Sequence, residues 1–375
     1  MKKHINRILA LALTLVMASA ALAGCGMNSK SEQSKTLLFS YDGSDVYLDE
    51  AWVYAKIAQT GYESQYASTF GESMWSMTIA QDGEGKPVTM ENMVKQNVIE
   101  QIKQVKVLNK KAEELKISLT DEEKEMAEKN AKAFAGEPEG KAIFNETGAD
   151  QDLMQKIYEE NALASKVQQE VVKDVDTEVS DEEARQTSVY KLVFATSEAD
   201  PETGEAKPMS DAKKAEQKKK AEKAYKELKA GKTIEELAET YKIQDQAKEI
   251  YGKGQSMGGK DFEKAIESMK DGETSKILET EEGYVIAKLI ALTDKDATMQ
   301  QKENIVSGRQ SEAYQKQYQE WTKDLEEKWD YEKNVDQKSW KKVTVAKEQP
   351  AEAETEAVPE EENTGAEAET STAAK

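Results

Sequence analysis

One cysteine and one histidine are the first residues to weigh in this 375-residue chain. Thiols and imidazoles carry much of nucleophilic, acid–base and metal chemistry. The histidine is His4 and the cysteine is Cys25, so nothing beyond residue 25 offers either group. That excludes an internal disulfide and a Cys/His zinc site. Acidic clusters such as Asp121-Glu122-Glu123 read as charge at a helix N-terminus rather than calcium ligands. Neither a nucleotide loop nor a catalytic triad is present, and no cofactor or metal is expected. The chemistry left to Cys25 is acylation. Lys2, Lys3 and Arg7 precede an uncharged apolar run from Ile8 to Ala21, and Leu22-Ala23-Gly24-Cys25 follows. This order predicts a secretory signal over 1–25. The four residues resemble a bacterial lipobox, with Cys25 as the lipidated residue. Two acyl chains would hold the protein on the extracytoplasmic face of a bacterial cell membrane.

The formal net charge is −21. Such a chain repels phosphates, so nucleic acid is not an expected partner. Residues 26–36 read as a polar linker. Residues 346–375 carry nine Glu, two Lys and no aromatic residue. That composition cannot bury a core and predicts a disordered acidic tail.

Between the ends, the first elements are a strand and turn (LLFSYDGSDV) and a helix bearing Leu48, Trp52, Ala55, Tyr62, Tyr66 and Phe70 on one face. After breaks at Gly83, Gly85 and Pro87, Thr89 is placed to cap a long helix. Its stripe is Val94, Val98, Gln101, Val105, Leu108, Ala112 and Leu115. Capping boxes at Thr120–Glu123, Ser180–Glu183 and Thr233–Glu236 mark later helix starts. Residues 150–172 read as a further amphipathic helix, so 48–178 is expected to be helical with little strand. The pattern changes at SVYKLVFAT, a strand. A loop, a lysine-rich helix capped by Ser210, a short helix, a strand candidate (KEIYG), a helix (FEKAIESM) and two strands (SKILET, GYVIAKLIAL) follow. This is an α+β unit. A long polar helix then follows, and WKKVTV is read as an added strand.

Four phrases in order resemble the parvulin-type prolyl isomerase domain. They are VYKLVF; Gly231 through Leu237-Ala238 to Tyr241; Gly254-Gln255-Ser-Met257 with Phe262-Glu263-Lys-Ala265 and Gly272-Glu273-Thr-Ser275; and Thr280-Glu-Glu-Gly283-Tyr284-Val285-Ile286. The whole layout is similar to PrsA-type foldases and SurA-like chaperones. The resemblance implies an α+β fold class: a helical SurA-like chaperone lobe built from N- and C-terminal segments, with a parvulin-like α+β domain inserted. The expected divisions are 37–178 for the N-terminal lobe, 179–296 for the parvulin-like domain and 297–345 for a C-terminal segment packing on the lobe. The family's two histidine positions fall on Lys191 and Val285, its hydroxyl position on Glu282 and its Cys/Asp position on Asp245. Met257 and Phe262 stand as proline-pocket residues.

The resemblance thus implies a membrane-anchored foldase or chaperone for secreted proteins, with weak or absent isomerase activity because both histidines are missing. An active prolyl isomerase is the alternative. A solute-binding lipoprotein fits less well, since its two alternating α/β lobes are absent from the pattern. Unfolded or secreted polypeptides are the expected clients, with Trp52, Tyr62, Tyr66, Trp75 and Trp321 as candidate contacts. A homodimer is left open.

Overall fold

The computed structural model describes residues 33–83, 85–200, 203–243 and 248–345. Helices and sheets are mixed, and the described residues divide into two compact units. A helical unit comprises 33–164 with 325–345, and a sheet unit comprises 165–324. Cys25, with Leu22, Ala23 and Gly24 before it, the acidic segment 346–375 and Asp245 lie outside the described residues.

In the helical unit, β1 (Leu37–Tyr41) and β2 (Ser44–Tyr47) form an antiparallel hairpin. Its turn residues Asp42 and Gly43 both have positive φ, 49° and 80°, as a two-residue hairpin that matches strand twist requires. Helix α1 (Leu48–Phe70) buries its first half through Ala51, Val53, Tyr54 and Ala55. A second hairpin, β3 (Thr78–Gln81) with β4 (Pro87–Thr89), adds two short strands to a region expected to have little strand. Strands this short leave too few residues for a period to register. Helix α2 (Met90–Leu115) starts in a capping box in which Thr89 accepts from the Asn92 amide. Helices α3 (Asp121–Gly136), α4 (Pro138–Thr147) and α5 (Gln151–Val172) follow, α3 behind a complete Thr120–Glu123 box.

The buried stripe of α2 differs from the apolar one. Leu115 is exposed and Gln101 only half-buried, whereas Lys95, Lys103 and Lys106 are buried. Each lysine joins α2 to another segment. Lys106 Nζ lies 2.7 Å from Glu50 Oε1 on α1 and 2.7 Å from Glu160 Oε2 on α5. Lys103 Nζ pairs with Glu326 at 3.0 Å and sits 4.7 Å from the Tyr41 ring centre and 4.5 Å from that of Trp329. Lys95 Nζ donates to the carbonyls of Trp340 (2.8 Å) and Val343 (2.6 Å). Buried ammonium groups are tolerated only when paired in this way. The segment after residue 325 forms two short helices, Tyr331–Asn334 and Gln337–Trp340. Its Asp336 N–H donates to Leu38 O on β1. WKKVTV forms no strand, and its backbone is tied by Lys95 and by Glu91, which accepts from the Val345 amide.

The sheet unit begins with α6 (Asp181–Ala184), where Ser180 accepts from the Glu183 amide. The expected reciprocal bond is replaced, because the Glu183 carboxylate pairs with Arg309. Then come β5 (Gln186–Ala195), β6 (Ser197–Ala199), β7 (Ala206–Pro208), α7 (Asp211–Lys229), α8 (Ile234–Tyr241), β8 (Lys248–Gly252), α9 (Gly259–Glu267), β9 (Leu278–Thr280), β10 (Gly283–Ala291) and α10 (Lys295–Glu326). The main sheet is antiparallel in order β8-β5-β10-β9. Alternation along β5 sends Leu192 and Phe194 to one face, where Ala221 and Ala224 of α7 and Leu237 of α8 cover them. Val189 and Val193 go to the other face with Val285 and Leu289, under Phe262 and Ile266 of α9. Gly283 starts β10 at φ 128°, and a Cβ there would meet Phe194 O at 2.4 Å. Only glycine fits this close approach.

Candidate functional site

Lys191 lies in the middle of β5, on the face covered by α9, and is 1% exposed. Val285 sits on the adjacent β10 opposite Val193, one diagonal step from Lys191, whose own partner is Ala287. The two residues therefore share a face. Lys191 Nζ lies 2.6 Å from Glu282 Oε2, before β10, and 2.7 Å from Glu249 Oε2 on β8. The Phe262 ring centre is 5.8 Å from the same nitrogen. Val285 is fully buried among Val193, Phe262 and Leu289.

Glu249 is the residue that sequence reasoning missed. Its signal was available: an ammonium inside SVYKLVFAT needs carboxylates, and alternation in KEIYG turns Glu249 and Tyr251 to one face. Glu249 Oε1 also accepts from the Met257 amide (2.9 Å) and the Ser256 hydroxyl (3.1 Å). Glu263 accepts from the Gly254 (2.7 Å) and Ser256 (2.8 Å) amides. The turn before α9 is thus hung from two largely buried carboxylates. This holds Met257 outward, 66% exposed, while Phe262 is 1% exposed in the core. The structure does not bring these two together into a pocket. Burial pushes the Tyr251 phenol up, with the Glu263 and Glu249 carboxylates adding to it.

Chemically, the face offers an ammonium clamped between two carboxylates and an aliphatic side chain. One N–H of Lys191 donates to Glu282 Oε2, while Glu249 Oε2 lies in ion-pair contact with the ammonium without a hydrogen bond from it. Among the described residues, no group of three His, Cys, Asp or Glu side chains could hold a metal ion.

Of the aromatic candidates, the structure joins Tyr62, Tyr66 and Trp75. Tyr62 lies 6.0 Å from Tyr66 and 6.2 Å from Trp75, between ring centres. Phe70 extends the row at 6.5 Å from Tyr66 and is 45% exposed. Met77 and Ile79, not singled out by sequence, are exposed in the segment that follows. Trp75 itself is buried, and Trp52 is half-buried about 15 Å before Tyr62 along α1. Trp321 is half-buried in α10 and belongs to the sheet unit.

A family match covers α7, α8 and α9 with strands β8, β9 and β10 of the main sheet. Residues 195–291 match the rotamase family, a PPIC-type PPIase domain. The sheet unit therefore carries a PPIC-type, parvulin-like domain. The match starts at the last residue of β5, so Lys191 lies outside it, while Met257, Phe262, Glu282 and Val285 lie within. Over 352 residues the chain is a homologue, 26% identical, of the foldase protein PrsA of Clostridium tetani. That alignment covers 89% of this chain and 99% of the relative. Among solved structures, PrsA from Bacillus subtilis aligns at 21% identity, covering 68% of this chain and 94% of that one, with a TM-score of 0.23. Foldase PrsA from Lactococcus lactis aligns at 14% identity, covering 82% and 97%, with a TM-score of 0.29.

Proposed function

We propose that this chain is an extracytoplasmic foldase or chaperone for secreted polypeptides, anchored to the membrane through Cys25, whose PPIC-type domain has little or no prolyl isomerase activity. One observation carries the second half of that reading: Lys191 is ion-paired on both sides and Val285 is fully buried, at the two positions where the resemblance would set the family's histidines. Prolyl isomerisation breaks no covalent bond; the catalyst must lower a rotation barrier of about 20 kcal/mol. It does so by gripping proline and favouring the twisted amide. Here Phe262 is sealed into the core, Met257 points away, and Val285 neither donates nor accepts a hydrogen bond. The face that would grip proline is packed as a protein interior.

Client binding is assigned to the helical unit. The row Tyr62–Tyr66–Phe70, with Met77 and Ile79 exposed after it, is an apolar surface of the kind that marks interaction sites. Aromatic rings give large contact area at low entropic cost. The test is aggregation of an unfolded substrate protein in the presence of the chain lacking residues 1–25. Suppression at stoichiometric amounts supports the reading, and none at tenfold excess refutes it. Incorporation of labelled fatty acid by the full chain, lost in Cys25→Ser, tests the anchor.

A further inference from the structure

Strand β8 ends the main sheet on one side, and only its inner edge is paired. Which of its residues face outward follows from β5. The Gln186 amide donates to Thr298 Oγ1 and its carbonyl accepts from the Asp294 amide, beyond the end of β10 and away from β8. Backbone direction alternates along an antiparallel strand. Thr187 and Val189 therefore turn their N–H and C=O groups to β8, opposite Tyr251 and Glu249. The other side of the sheet agrees. There Ala287 and Leu289 bond outward to Ser275, Glu273 and Gly272, which leaves Lys288 to face Tyr190. The N–H and C=O groups of Lys248 and Ile250 thus point out of the sheet, and none of them has a partner among the described residues.

A row of unpaired backbone groups is a template for another strand. A bulge or a proline commonly blunts such an edge, yet β8 has an unbroken register and no proline. The Ile250 side chain is 45% exposed, on the face away from α9. Lys248 shares that face, is exposed and makes no ion pair among the described residues. Across β5 it lies in one row with Tyr190 and Lys288, and Lys288 is already paired with Glu235. An occupant must bring unpaired backbone of its own, an apolar side chain for Ile250 and a carboxylate for Lys248. Folded surfaces keep their backbone paired, and an unfolded polypeptide does not. A second copy of this chain fits less well, because stable association buries about 1,200 Å² or more, beyond what the edge of so short a strand supplies. We propose that the outer edge of β8 takes up an extended segment of an unfolded polypeptide as an added strand. An apolar residue lies opposite Ile250 and an acidic one, two positions away, opposite Lys248. The proposal rests on the reading that this chain handles unfolded polypeptides, and adds to it a contact in the sheet unit that is read through the backbone. Few bonds and few side chains make the contact weak, as release of a client requires.

Fluorescence anisotropy of a labelled peptide with the full chain in detergent tests this. The probe is a peptide of about ten residues, mostly Thr, with Val and Glu two positions apart. Two further peptides carry N-methyl groups, each on one set of alternate amides. An added strand turns one set to β8 and the other to solvent. One methylated peptide should therefore bind about tenfold more weakly than the parent, and the other about as well. Equal binding of all three peptides overturns the proposal, since contact through side chains alone would not separate the two sets. Ile250→Pro removes an outward N–H and no ladder bond, so an edge position tolerates it. With an unchanged melting curve it should weaken the parent peptide about tenfold, and unchanged binding overturns the proposal. So does a dimer in sedimentation that Ile250→Pro abolishes, which would assign the edge to a second copy. Peptide binding lost in Tyr62→Ser/Tyr66→Ser/Phe70→Ser but kept in Ile250→Pro overturns this inference and leaves the proposed function standing.

Discussion

Lys191 and Glu249, on neighbouring antiparallel strands, form a buried ion pair of 2.7 Å on the face of the sheet covered by α9. With Glu282 on the other side of the ammonium, the polar centre of the domain is closed upon itself. The pair does two jobs at once, because the same Glu249 carboxylate holds the Met257 turn.

Removing one partner should therefore cost more than removing all three. Lys191→Ala leaves Glu249 and Glu282 facing each other without a counter-charge. It is expected to destabilise the domain by about 3–5 kcal/mol, whereas K191M/E249Q/E282Q, which removes the three charges but keeps a carbonyl acceptor for the Met257 amide, should cost less. Urea unfolding of the two variants checks this. Equal losses in both would mean that packing, rather than charge, sets the cost.

The aromatic row makes a separable prediction. Tyr62→Ser, Tyr66→Ser and Phe70→Ser together should weaken suppression of client aggregation about tenfold, the effect of losing somewhat more than 1 kcal/mol of contact. Tyr251→Leu in the sheet unit should leave suppression unchanged. Parallel light-scattering titrations with matched melting curves decide between lost contact and lost folding.

Asp336 links pH to the closure of the helical unit. Its carboxylate accepts from the Lys338 and Ser339 amides at 3.1 and 3.3 Å, capping the short helix whose Trp340 is buried. A hydrogen bond from the Ser339 side chain, chiefly, and the two amide bonds hold its pKa below the usual 3.8. A depressed carboxylate stabilises the fold above the unfolded value and loses that contribution as pH falls through the folded one. Asp336→Ala should cost about 1 kcal/mol at neutral pH. The gap between wild type and variant should close below about pH 3.8. A constant gap down to pH 2 would exclude the link.

Much of the sheet unit was legible because its signals are local. SVYKLVFAT alternates, GYVIAKLIAL is a run of β-formers after a glycine, Thr233 announces α8 within four residues, and Gly283 marks the close approach to Phe194. What was not legible depends on partners far along the chain. Lys103 and Lys106 read as surface charge until Glu326 and Glu160 meet them. Glu249 reads as a polar residue in a strand until Lys191 arrives from β5. The β3–β4 hairpin was missed for another reason, since three or four residues cannot display a period. Met257 and Phe262 were paired by motif, yet a turn held by the Glu249 and Glu263 carboxylates leaves Met257 exposed while Phe262 is buried.

In the function proposed above, this domain keeps a parvulin-like fold while the face bearing Lys191 and Val285 is packed as an interior and turns over no proline peptide. A protease-coupled assay of cis-to-trans conversion in a proline tetrapeptide, with the chain lacking residues 1–25, measures it most directly. The account predicts a rate indistinguishable from the uncatalysed tens of seconds, even at high protein concentration. Turnover comparable to that of a histidine-containing parvulin would contradict it.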